Sequence, residues 1–386
     1  MTTATPLPAP PRAAADPGIR FSIFLLELTS HCNMCCDFCP DGIMKRPRGL
    51  MDAGLAKKVM RELAGKRMCE RVFFHVMGEP LLHPRFDELA RHAHECGLKL
   101  SLYTNSSLLT EKHIERLLSV PIDNLTLSIQ SIDQDSFVLR RAGRLSYGNY
   151  VGGVERFLRM KVERRHPGKV TMHYMVGNVK PGSPGGLLIE SKEQAEGVIR
   201  KWQAFFRGLD PEGAARAAAP PVSLADVERD YPVYPGVVLF LKAAHHWAGA
   251  MVQVGYEFRP SEAGYCAAIS GGAAAGTFAV LWNGAVTYCC NDYEGTLALG
   301  NANEQTIEEI YAGPKAAAIR ENAARGRLIH PTCQRCMGQL VRIGTGKKVP
   351  KYRNPLTLLH LSSNYYKKHG LRQTVLKSLD YLRKSF

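Results

Sequence analysis

His31-Cys32-Asn33-Met34-Cys35-Cys36-Asp37-Phe38-Cys39-Pro40 follows directly on the apolar run FSIFLLELTS, residues 21–30. That run, rich in Phe, Ile and Leu, predicts a strand, which puts the cysteines on the loop at its end. Cys32, Cys36 and Cys39 have the spacing C-x3-C-x2-C. Three thiolates on one short loop can hold three irons of a [4Fe–4S] cluster and leave the fourth iron without a protein ligand. Cys32-x2-Cys35 also fits half of a zinc site, but no partner pair follows at zinc-ribbon distance. Cys35, Cys69 and Cys96 read as spares, each explained by packing.

Outward from this loop the chain repeats a strand and an amphipathic helix. Asp52 is placed to cap a helix from Ala53 to Leu63, whose apolar Leu55, Val59, Met60 and Leu63 share a face. ERVFFHVM (70–77) is the next strand, and the helix PRFDELARHAHECG ends at Gly97, as helices prefer. LKLSLYT, TEKHIERLLS and DNLTLSIQ repeat the unit, and a helix over Tyr150–Val162 leads to the strand KVTMHYMV. Successive βα units predict an α/β fold with a parallel sheet, curled into a full or partial barrel with its chemistry at the C-terminal strand ends. A helix from Ser191 to Phe206, an insertion near 207–233 and the strand GVVLFLK complete residues 21–255.

A second cysteine set lies in residues 256–340. Cys266 and Cys289 stand apart, Gly284 precedes Cys289 as G-x4-C, and Cys333-x2-Cys336 closes the set. Four thiolates from three separated segments suit a structural zinc or a fully ligated [4Fe–4S] cluster. A turn at Trp282-Asn283-Gly284 and one helix, Thr306–Tyr311, complete this small domain.

The first loop, in its strand context, resembles the radical S-adenosylmethionine (SAM) superfamily, with a partial (β/α)6 barrel. There the open iron chelates the amino and carboxylate groups of SAM, and one-electron reduction yields a 5′-deoxyadenosyl radical. The resemblance implies that Phe38 contacts adenine, and that Met77-Gly78-Glu79-Pro80 stands where the family's GGEP-like segment binds the amino group. Met77 replaces the usual first glycine. Thr104-Asn105 resembles the family's TNG, with Ser106 in place of glycine; Ser128 and Gln130 stand at the ribose, and Arg141 is a candidate for the carboxylate.

The second set resembles the "twitch" domain, the short form of the SPASM domain, and Cys290-Asn291-Asp292, Leu299-Gly300-Asn301 and the bridge His246-Trp247-Ala248-Gly249 agree. A complete SPASM domain needs further cysteines after Cys336, and there are none, so one auxiliary cluster is expected. Lys45-Arg46, Gly49–Asp52, Phe74-His75 and Gly78–Leu82 look closest to the 2-deoxy-scyllo-inosamine dehydrogenase type. The resemblance implies SAM as cosubstrate, two [4Fe–4S] clusters, and a reducing partner such as flavodoxin or ferredoxin. It implies a dehydrogenation of a sugar- or cyclitol-like small molecule, the second cluster taking an electron. Peptide modification, sugar epimerisation and decarboxylation begin with the same hydrogen abstraction. The general base is not identified: His173, His245 and His246 are candidates, and each is also explained by packing or capping.

The bulk properties bound the rest. The first eighteen residues are Pro/Ala-rich without an apolar run, so residues 1–20 read as a flexible leader, and a cytoplasmic protein is the default. Eleven cysteines without a secretory signal favour metal or redox chemistry over disulfides. Of the net charge of +15, about two-thirds sits in the tail 341–386, where Leu371, Val375, Leu379 and Leu382 share a helical face. Such a tail suits a helix docked on the domain, peripheral membrane contact, or RNA binding by a non-enzymatic protein. The remainder is close to neutral and does not argue for nucleic acid.

Overall fold

A computed structural model describes residues 18–177, 188–222, 229–244, 247–250, 256–269 and 275–343. The leader up to residue 17, His245, His246 and the tail beyond residue 343 lie outside the described residues. Among the described residues no helix is long and apolar enough to cross a membrane.

Six parallel strands form the centre: β1 (Phe21–Leu26), β2 (Arg71–Phe74), β3 (Lys99–Thr104), β4 (Asn124–Gln130), β5 (Lys169–Val176) and β7 (Val237–Ala243), side by side in that order. The register runs Phe73 beside Leu25, Ser101 beside Phe73, and Asn124 beside Ser101. Side chains alternate in direction along each strand. Val72 and Phe74, Leu100 and Leu102, Leu125 and Leu127, and Val237, Leu239 and Leu241 all enter the main core. There they join Val59 and Leu63 of α1 (Ala53–Gly65), Leu89 of α2 (Phe86–Glu95) and Phe157 of α5 (Tyr147–Glu163). Burying each such side chain contributes about 1.5–3 kcal/mol. The alternate residues, among them His75, Tyr103, His173 and Lys242, face the hollow inner side, at its C-terminal end.

The helix signals hold. Asp52 caps α1 by accepting the N–H of Leu55 at 2.9 Å. Thr110 caps α3 (Glu111–Ser119), and Ser191 forms a capping box on α6 (Lys192–Leu209). The insertion is more ordered than its Ala/Pro composition suggests. Asp210 caps a short helix, α7 (Pro211–Ala215), and β6 (Arg229–Tyr234) forms an antiparallel edge on β7.

The cysteine-rich region is part of the same sheet. β9 (Ala275–Val280) runs parallel to β1, Phe278 beside Phe24, and β10 (Ala285–Thr287) returns antiparallel through the turn at Gly284. Phe21 stacks on Phe278 at 4.9 Å, and Tyr311 meets Phe21 edge-on at 5.4 Å. Beside the expected helix, α8 (Ile307–Ala312), there are two more: α9 (Pro314–Ala324) and α10 (Pro331–Cys336). The run PKAAAIRENAA has no strong apolar stripe, so periodicity does not reveal α9. The Glu62 carboxylate of α1 accepts the N–H groups of Ile307 and Glu308, which ties the two regions together.

Candidate active site and cluster centres

The cysteine loop is held from beneath by backbone. Glu79 donates its N–H to the carbonyl of His31 at 2.8 Å, and Arg48 bonds the Ser30 carbonyl and the Asp41 carboxylate. Gly78 has φ of +77°, and a Cβ there would stand 2.3 Å from the Thr29 carbonyl oxygen. Only glycine lets the end of β2 pass so close to the loop.

Cys32, Cys36 and Cys39 line one cavity of about 160 Å³, with Phe38 beside them. Met77, Gly78, Asn105, Ser128 and Gln130, from the ends of β2, β3 and β4, form the adjoining wall. Burial raises all three thiol pKa values, that of Cys32 to about 11. A bound iron centre would offset this by stabilising thiolates. Cys35 is exposed, and its Sγ lies toward Gly42 instead. A larger hollow of about 810 Å³ opens at the N-terminal ends of β1–β3, among Arg20, Arg67, Arg71 and Lys99. It contains none of the seven expected ligand cysteines.

Two expected residues stand elsewhere. Glu79 is buried but does not line the cavity; its carboxylate accepts the N–H of Asn105 at 2.6 Å and of Leu81 at 3.2 Å. It ties the ends of β2 and β3 together, and burial lifts its pKa to about 7. Arg141 turns to the surface and pairs with Asp37 at 2.5 Å. Its neighbour Arg140, which the sequence reading passed over, is 2% exposed and lines the cavity. Arg140 donates to the carbonyls of Ser128 (2.8 Å) and Asn105 (3.0 Å) and lies over the Phe38 ring. The left-handed Arg141 (φ +45°) ends the short 3-10 turn before it and sends the two arginines opposite ways.

The second set also converges. Burial, with Cys290, Cys336, Cys266 and Cys333 close enough to add to it, pushes the Cys289 thiol pKa well up. Burial and neighbouring Cys266 and Cys336 lift Cys333 to about 12. Asn291 donates to Cys336 Sγ at 3.3 Å. Among the described residues no three His, Cys, Asp or Glu side chains close on a single-ion geometry. A cubane cluster instead takes thiolates spread around several irons.

Residues 26–180 match the model of the radical SAM superfamily, and residues 272–337 match an iron–sulfur cluster-binding domain, SPASM. The chain carries a radical SAM domain joined to a SPASM domain. SAM and a [4Fe–4S] cluster are the cofactors of the first, and auxiliary iron–sulfur clusters those of the second. One relative of the radical SAM protein is an S-adenosyl-L-methionine-dependent 2-deoxy-scyllo-inosamine dehydrogenase of Niallia circulans. It is 33% identical over 111 residues, 28% of this chain and 44% of that one. Another is a tungsten-containing aldehyde ferredoxin oxidoreductase cofactor-modifying protein of Pyrococcus furiosus. It is 31% identical over 104 residues, 27% of this chain and 29% of that one. The chain thus matches less than half the length of either relative. The fold is similar to that of SuiB of Streptococcus suis, solved bound to its precursor peptide SuiA. The TM-score is 0.51, the identity 15%, and the match covers 78% of this chain and 67% of SuiB.

The cavity of this radical SAM protein suits SAM in its unmet polar atoms. Gln130 Oε1, an acceptor, and Arg140 Nε, a donor, are buried without a hydrogen-bond partner among the described residues. Gln130 also sits at a bulge with φ of +64°, which turns it out of the β4 ladder. Buried polar atoms left unpaired are costly, so such pairs mark where a polar ligand docks.

Proposed function

We propose that this protein is an oxidoreductase that dehydrogenates a sugar- or cyclitol-like small molecule. Cys32, Cys36 and Cys39 would hold the SAM-binding cluster, and Cys266, Cys289, Cys333 and Cys336 the auxiliary one. When bound, these groups supply a 5′-deoxyadenosyl radical that removes a substrate hydrogen atom, and an acceptor for a further electron. The protein supplies position: Gln130, Ser128 and Arg140 hold the SAM end of the cavity, Phe38 offers a flat apolar face, and Glu79 fixes the strand ends.

The observation that carries this reading is the packing between the two cysteine sets. Cys39 of the first loop and Cys290, next to Cys289, rest against one small apolar cluster of Leu25, Val76, Met77, Ala279 and Leu281. An auxiliary cluster held there would lie near the cavity, where an electron acceptor is useful. The similarity to the dehydrogenase from Niallia circulans supports the same direction.

The test is Cys333→Ala in anaerobically reconstituted protein. SAM cleavage is expected to persist while the oxidised product is lost. Full product formation by the variant would defeat the electron-acceptor role. A count of four irons and one zinc per chain would make the second site structural.

A further inference from the structure

Lys242 is not among the residues that suit SAM or a cluster, yet it lines the central cavity. Alternation along β7 turns Val238, Phe240 and Lys242 inward while Val237, Leu239 and Leu241 enter the core. Lys242 therefore stands on the sixth parallel strand, near its C-terminal end.

Among the described residues its surroundings offer no free acidic counter-charge. His75, Tyr103, His173 and Phe240 form a chain of ring contacts below it, at 4.7, 5.7 and 5.0 Å between successive centroids. Burial and the Lys242 charge depress both histidines to about 3, so they are neutral. The acid lining the cavity, Asp41, is already engaged by Arg48 at 2.7 Å. Among the described residues the Lys242 side chain makes no hydrogen bond or ion pair. A half-buried ammonium with no charged side-chain partner is placed to attract an anion that enters the cavity.

We infer that the substrate carries an acidic group, a carboxylate or a phosphate, which Lys242 holds at the sixth-strand side of the cavity. A lysine ammonium is a point charge and suits either anion. This inference rests on the cavity being the radical SAM active site and adds the charge class of the substrate.

The test uses reconstituted protein with SAM, kept anaerobic. Glucuronate and glucose 6-phosphate serve as acidic probes and glucose as the neutral control, with affinity measured by calorimetry. Acylation of Lys242, mapped by mass spectrometry, gives a readout independent of turnover. At least one acidic probe is expected to bind about tenfold or more tighter than glucose and to shield Lys242. Lys242→Met should bring that probe to the level of glucose, and Lys242→Arg should restore most of the difference. Which probe wins tells carboxylate from phosphate. Equal binding of all three overturns the inference, as does a Lys242→Met variant that loses SAM affinity while probe binding is unchanged. The SAM-induced change in the cluster's electron paramagnetic resonance signal is recorded in parallel. Its absence would sink the active-site reading itself, whereas its presence without anion preference sinks the anchor alone.

Discussion

Glu27 and Arg46 form an ion pair of 2.6 Å with both side chains withdrawn from solvent, where the parallel sheet meets the cysteine-rich domain. The same carboxylate accepts the N–H groups of Met77 (3.0 Å) and Trp282 (3.3 Å), and Arg46 donates to the Tyr293 carbonyl. Two strand ends and the second domain therefore meet on one side chain. Removing one partner of a buried pair costs about 3–5 kcal/mol, because the other charge is stranded. Arg46→Met should lower stability by that order in urea melts. Arg46→Met combined with Glu27→Gln should lose less than the sum of the single changes, and strict additivity would show that the two side chains act separately.

Cys32 and Cys35 are three residues apart but face different surroundings. Cys32→Ala should abolish 5′-deoxyadenosine formation and remove about four irons of an expected eight or so. Cys35→Ser should keep both at the wild-type level. A loss of iron in the Cys35 variant would mean that the loop coordinates through a different trio.

Gly78→Ala places a methyl group against the Thr29 carbonyl at a left-handed backbone position. The substitution should destabilise by well over about 1 kcal/mol and reduce iron retention. Gly65→Ala, at the open end of α1 with nothing within 4 Å, is the control. It should be neutral or stabilising by about 0.5–1 kcal/mol. Similar melts for both variants would remove the proposed tight passage under the loop.

His173 gives a pH signature. Its folded pKa, near 3, lies below the ordinary value of 6.5, mainly through burial, with Lys242 and His75 adding to it. The neutral form is favoured when folded, so its stabilisation is complete above about pH 6.5 and fades as pH falls toward 3. Between pH 6.5 and 5 this residue should account for up to about 2 kcal/mol of lost stability. His173→Phe keeps a ring against Tyr103 and Phe240 and should flatten that part of the profile. An unchanged slope would show that water reaches the imidazole freely.

Much of this was readable because local chemistry and tertiary packing agree. Asp52, Thr110, Ser191 and Thr306 announce helix starts and do cap them. The six parallel strands are legible because each carries a continuous or alternating apolar run. Three features were not legible. The opposite directions of Arg140 and Arg141 depend on a single left-handed residue, which spacing does not reveal. Lys242 sits on a strand whose alternation marks it as inward, but a lone lysine there looks like an edge residue until its neighbours are known. The pairing of β9 with β1 joins residues some 250 positions apart, and nothing local to either strand names its partner.

That pairing makes the iron–sulfur domain a continuation of the fabric that frames the catalytic mouth. A chain cut before residue 275 would bare the backbone of β1 and the Phe21–Phe278 stack, inviting sticky edge-to-edge association. Grafting the cysteine-rich region onto another barrel would have to transplant this seam, so the two centres cannot be exchanged as independent cassettes.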